Sequence, residues 1–175
     1  MKQLFLLLLI TTFFSGCKSD DNNILPPATQ TGAGTFACYV NGKPFIDKSG
    51  GWFNCYYQLV DGGYYFHISG EVKKKINGFW TIDIATFNMV ISENATFSLT
   101  KYEEGNAWGG GAFSVSNITY KVLTTDSEYT GELTITKLDF EKRIVSGTFW
   151  FDLQHPVTGE RIEIREGRFD TLFTM

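Results

Sequence analysis

The strongest constraint on the fold lies between Trp52 and Val72, where side chains alternate with a period of two on both sides of Asp61-Gly62-Gly63. Phe53, Cys55, Tyr57 and Leu59 share one face of the first run, and Trp52, Asn54, Tyr56 and Gln58 share the other. Beyond the glycines, Tyr64, Phe66, Ile68 and Val72 alternate with Tyr65, His67, Ser69 and Glu71. A period of two is the signature of a half-buried strand, so the segment predicts a β-hairpin. Parity sets its register. Opposed residues must share a face, so paired residue numbers must sum to an odd total. A two-residue Asp61-Gly62 turn meets that condition and is the dipeptide a type I′ turn prefers. It sets Leu59 opposite Tyr64, Tyr57 opposite Phe66, Cys55 opposite Ile68, Tyr56 opposite His67, Gln58 opposite Tyr65 and Trp52 opposite Glu71.

The same pattern recurs along the chain and no helical period competes with it. Phe79–Phe87 alternates after the Asn77-Gly78 turn signal, and shorter strands are expected at Thr96–Leu99, Ala112–Ser116, Ile118–Leu123 and Glu132–Leu138. In Ile144–Leu153, residues Val145, Gly147, Phe149, Phe151 and Leu153 form the apolar face. Ser146, Thr148, Trp150 and Asp152 are expected to face outward, and the mid-strand Gly147 predicts a bulge or a close contact. Arg161–Arg165 and a last edge near Phe169 follow the turn at His155–Gly159. About ten short strands joined by turns predict an all-β fold, a single antiparallel β-sandwich or flattened barrel, with both architectures open.

The N-terminus reads differently. Lys2 and the apolar run Leu4–Phe14 have the layout of a secretory signal, too short to span a bilayer. Phe14-Ser15-Gly16-Cys17 resembles a bacterial lipobox, in which a cysteine thiolate attacks a lipid and becomes the mature N-terminus. The resemblance implies a signal peptide over 1–16, lipidation of Cys17 and anchoring in the outer membrane. Lys18-Ser19-Asp20-Asp21 resembles the acidic export tag of Bacteroidetes surface lipoproteins, which implies display on the cell surface. The Pro- and polar-rich stretch 17–33 reads as a flexible tether and 34–175 as one β domain.

Loss of Lys2 with the signal leaves 14 of 15 basic side chains against 19 acidic ones, a balance of −5. Such a surface repels phosphate backbones, so nucleic acid is not an expected partner. With Cys17 lipidated, Cys38 and Cys55 remain, either as a disulfide in an oxidising compartment or as two buried thiols.

The blocks LPPATQTGAGTFACYVNGKPF, TGELTITKLD, VSGTFWFD and EGRFD resemble a family of Bacteroidetes lipoproteins classed as a domain of unknown function. The resemblance implies a small antiparallel β domain on a lipid tether and carries over no catalytic residue. Asp170-Thr171-Leu172 also resembles a short threonine-glycosylation site of such bacteria, although a terminal strand accounts for it equally.

No nucleophile elbow, phosphate-binding loop, dinucleotide fingerprint or zinc-ligand spacing is present in the sequence, so no catalytic residue, metal ligand or cofactor is assigned. His155 belongs to a proline turn. The hairpin's polar face is more informative. Trp52, Tyr56, Tyr65 and His67 combine rings with hydrogen-bonding neighbours, as sugar recognition requires, unless the tether or another strand covers them. Trp108, beside Gly109-Gly110-Gly111, is a second candidate on a mobile loop, or else a ring tucked beneath that loop. The expected role is a non-catalytic module binding a glycan or an envelope protein. A glycosidase-like hydrolase using loop carboxylates, or an accessory subunit docking through a sheet edge, are the alternatives.

Overall fold

The computed structural model describes residues 24–49, 54–116 and 118–175; residues 1–16, read above as a signal peptide, together with Cys17 and Trp52 lie outside the described residues. Eleven strands follow in chain order: β1 (Thr35–Val40), β2 (Lys43–Ile46), β3 (Asn54–Val60), β4 (Gly63–Ile76), β5 (Phe79–Thr86), β6 (Thr96–Leu99), β7 (Ala107–Ser114), β8 (Tyr120–Thr124), β9 (Gly131–Asp139), β10 (Ile144–Gln154) and β11 (Arg161–Leu172). They form one curled sheet in the order β2-β1-β11-β10-β9-β6-β7-β5-β4-β3, with β8 paired to β7. Every pairing is antiparallel except the short β6–β7 contact. The architecture is therefore a single sheet curled into a half-barrel, not two stacked sheets.

The β3–β4 hairpin has the register that parity demands, with Tyr56 opposite His67 and Val60 opposite Gly63. Asp61 and Gly62 both take positive φ, 49° and 84°, the backbone of a type I′ turn. Asn41-Gly42 and Asn77-Gly78 make the β1–β2 and β4–β5 turns in the same way. Asx-Gly suits these positions because few other residues tolerate a left-handed backbone.

Inward residues of the curl make one aromatic-rich core that includes Phe36, Phe45, Phe66, Phe79, Phe151 and Phe169. Opposite walls meet directly. Phe66 of β4 packs on Phe169 of β11 with centroids 6.1 Å apart. The Phe36 ring of β1 fills the space where a Cβ on Gly70 of β4 would stand, 2.2 Å from that position. The outer faces of β4 and β11 consequently point away from each other. Beyond β11, Thr174 crosses to the edge of β3, accepting from the Tyr57 amide at 2.8 Å and donating to the Cys55 carbonyl at 3.0 Å. That contact ties the last strand's end to the first hairpin.

Four points are corrected or decided; for Cys38 and Cys55 the structure decides between the two alternatives left open. Trp108 and the three glycines after it are in β7, not in a mobile loop. A Cβ on Gly109 would stand 2.7 Å from the Phe151 ring, and on Gly110 or Gly111 within 2.3 Å of a neighbouring strand's carbonyl. Close strand approach demands glycine there, and glycine's weak strand preference disguised the strand. Gly147 behaves as expected: the β9–β10 register shifts beside it, and its Cβ position is 2.5 Å from the Phe169 ring.

Second, Cys38 and Cys55 are free, buried thiols packed in the core, without a disulfide. Burial pushes both thiols up, which keeps them protonated and unreactive. Third, Ser146 and Asp152 of β10 are buried, although they point away from the core. Asp152 is covered by Arg161 and Arg165, the latter at 2.6 Å.

The fourth change explains Ser146. Residues 24–33, placed by the sequence in a flexible tether, lie against the outer face of β9, β10 and β11. Asp170 of β11 is buried and gathers this segment with its carboxylate. It accepts from the Thr29 hydroxyl (2.6 Å) and from the backbone amides of Thr31 (2.9 Å), Gly32 (2.8 Å) and Ala33 (3.1 Å). The Ser146 hydroxyl donates to the same carboxylate at 2.8 Å. Leu25 is buried, and Gln30 donates to the Thr136 carbonyl of β9 at 3.0 Å. Burial pushes the Asp170 carboxyl up, but the donors from Thr29, Thr31, Gly32 and Ser146 outweigh it and hold the group well below the usual carboxylate range. Thr171, beside it, is buried within β11, so the tripeptide Asp170-Thr171-Leu172 is a strand end.

Candidate functional site

On the opposite side of the curl, the cross-strand register assembles what the sequence left apart. Tyr56 of β3 is opposite His67 of β4, His67 opposite Ala85 of β5, and Ala85 opposite Trp108 of β7. The two separate candidates, hairpin and Trp108, therefore belong to one row on one outer face. Ala85 is what joins them. It is buried without belonging to the core cluster, so side chains of the outer face close over it. A small residue at that point leaves a low floor between large rings.

Two further aromatic residues complete the face. Tyr65 packs on Phe87 (5.7 Å between centroids), Phe87 stacks on Tyr102 (5.6 Å, 28°), and Tyr102 meets Trp108 edge to face (5.4 Å, 89°). Tyr56 stacks on His67 at 5.2 Å and 22°. Burial, and then the neighbouring Tyr102, push the Tyr56 phenol up. Tyr102 itself is 62% exposed and forms the rim. Sequence reasoning passed over Phe87 and Tyr102. Phe87 ends an alternating run, and its parity with Ala85 was the signal available; Tyr102 sits in a turn, where periodicity is silent.

Hydrogen-bonding groups surround these rings. A recess of about 190 Å³ lies among Tyr56, Gln58, Val60 and Tyr65. Asp83 Oδ1 is 3.7 Å from His67 Nε2, and Asn88 donates to Glu104 at 2.7 Å beside the Tyr102 turn. His67 Nδ1 is buried with no hydrogen-bond partner among the described residues. The 101–106 turn is braced, since Phe87 and the turn exchange bonds at 2.9 and 2.8 Å and Asn106 donates to the Lys101 carbonyl at 3.2 Å. The docked 24–33 segment does not cover this face; it occupies the opposite one.

A larger hollow of about 500 Å³ lies beside that docked segment, between Ala28, Glu132, Trp150, Glu166 and Arg168. Its two carboxylates are exposed and engaged. Glu132 accepts from Trp150 Nε1 at 2.9 Å and Glu166 pairs with Arg168 at 3.2 Å. A general acid working near neutral pH needs a desolvated carboxyl, which neither glutamate has. His155 caps its own turn, its Nδ1 accepting from the amides of Val157 (3.2 Å) and Thr158 (3.1 Å). No cluster of three or more His, Cys, Asp or Glu side chains with metal-holding geometry occurs among the described residues.

Compared with protein-family models, with curated proteins and with solved structures, the chain matches none. The reading of the site therefore rests on its own chemistry.

Proposed function

We propose that this protein is a lipid-anchored, surface-facing outer-membrane module without catalytic activity, and that its aromatic face binds a glycan. The observation that carries the reading is the in-register row Tyr56–His67–Ala85–Trp108, bounded by Tyr65, Phe87 and Tyr102. Ring faces cover the apolar C–H surfaces of a sugar, while Gln58 and Asp83 offer partners for its hydroxyls. The rings stand on the paired strands β3, β4, β5 and β7 and on the braced 101–106 turn, so little ordering entropy is lost on binding. The lipobox-like Phe14-Ser15-Gly16-Cys17 supports the anchor. The described part of the N-terminal segment, residues 24–33, lies on the face opposite the aromatic one, which supports a domain that, anchored at Cys17, presents its aromatic face away from the membrane.

A glycan array probed with the protein, followed by Trp108→Ala and Tyr56→Ala variants, tests the binding. Each variant is expected to weaken a bound glycan about tenfold or more, since one stacked ring contributes about 1–2 kcal/mol. Unchanged binding in both variants would remove the aromatic face as the site. The anchor is tested separately by Cys17→Ser, which should release the protein from the membrane fraction; retention there would refute lipidation at that residue.

A further inference from the structure

A third surface feature differs from both outer faces. Among the described residues, β2 is the terminal strand of the sheet and pairs only with β1, and the β3–β4 pairing runs from Val60–Gly63 to Asn54–Ser69. The β4–β5 register also shifts between Glu71 and Ile76. Residues 72–76 of β4 thus run past the outer edge of β2 without pairing to it. Both ends of this seam are pinned. Asn77 Nδ2 donates to the Val40 carbonyl at 2.6 Å, and the Lys48 amide donates to the Glu71 carbonyl at 3.3 Å. Pro44, which has no N–H, stands on the β2 side and prevents a ladder from closing the gap. Between the pins a slot of about 270 Å³ remains, lined by Pro44, Ile46, Val72, Ile76 and three lysines.

The chemistry of the slot is amphipathic. Its floor is aliphatic, with no aromatic ring and no hydroxyl for a sugar. Its mouth is formed by Lys48, Lys73 and Lys74, none of which takes part in an ion pair among the described residues. In a chain with 19 acidic side chains, three neighbouring lysines left without carboxylate partners are available to an external anion. The slot is smaller than the usual range for drug-sized ligands, roughly 300–1,000 Å³, and a narrow aliphatic floor with a cationic mouth suits one alkyl chain with an anionic head.

We infer that the slot binds a single-chain anionic amphiphile of the fatty-acid type. The hydrocarbon lies between Pro44, Ile46, Val72 and Ile76, and the carboxylate head is held among Lys48, Lys73 and Lys74. This site is independent of the aromatic face. Calorimetric titration of the full chain with decanoate, below the concentration at which decanoate aggregates, tests it. Saturable binding of one decanoate per chain is expected. The combined Lys48→Gln, Lys73→Gln and Lys74→Gln variant, altered only at exposed positions, should bind roughly tenfold more weakly or worse, since charge-assisted contacts are lost. Decanol should bind more weakly than decanoate for the same reason. Absent or non-saturable binding, or equal affinity in the lysine variant, would overturn the inference. So would association with phosphatidylglycerol vesicles but not with decanoate, which would make the lysines a membrane-surface contact and leave the slot empty of function.

Discussion

The two outer faces of the curled sheet solve the same problem in opposite ways. The face over β9–β11 is closed by the chain itself: residues 24–33 lie on it and Asp170 satisfies their amides. The buried Asp170 carboxylate is hydrogen-bonded through both oxygens, which makes it a structural fixture. The face over β3, β4, β5 and β7 carries no such cover among the described residues, and it is built from half-exposed rings. Satisfied polarity marks a site that is finished. Half-exposed rings left uncovered mark a site that can still take a ligand.

The sharpest way to break this comparison is Asp170→Ala. It strips several buried donors of their acceptor at once, and about 3–5 kcal/mol of stability should be lost in urea unfolding. Tyr56→Ala on the open face should cost no more than about 1.5 kcal/mol. Similar losses from both would dissolve the distinction between a structural and a binding face. Acid provides the same contrast without mutation. Because the Asp170 carboxyl is held below its unfolded value, its contribution is fully present above the ordinary carboxylate range near about pH 4 and is lost as pH falls through the folded value. Amide exchange at Thr31, Gly32 and Ala33 should therefore stay slow from neutral pH down to about pH 4 and accelerate only below it. Loosening of these amides between pH 7 and pH 5 would contradict that sign.

A smaller effect is expected from Gly109→Ala. The new methyl meets the fully buried Phe151 ring, so about 1–3 kcal/mol should be lost through overpacking. Because β7 carries Trp108, glycan affinity should fall as well, while exchange at Gly32 and Ala33 stays as in the unaltered chain. The smallest effect belongs to the thiols. Cys38 and Cys55 should resist alkylation in the folded protein, both should react once it is unfolded, and reductant should leave the unfolding midpoint where it was. A midpoint lowered by reductant would reveal a bridge.

Much of the local structure was legible in advance, for a definite reason. Parity and an Asx-Gly turn are enough to specify a hairpin, because both act between residues adjacent along the chain; hence Tyr56 opposite His67. Gly147 announced its bulge because a glycine within an apolar strand weakens it and is kept where another group must come close. Glycines 109–111 misled, since their need arises from Phe151, Leu123 and Thr81, remote in sequence. Of the candidate site, Tyr56, Tyr65 and His67 could be grouped by periodicity alone. Their union with Trp108 required the β5–β7 pairing, and the contributions of Phe87 and Tyr102 required it too.

Alternation by itself determined that the chain would be all-β and which side of each strand would carry apolar groups, because side-chain direction in a strand depends only on residue parity. Tertiary structure alone decided that one outer face would be sealed by residues 24–33 and the other left open. That choice turns on Asp170 meeting amides about 140 positions away, a long-range pairing that no local pattern encodes.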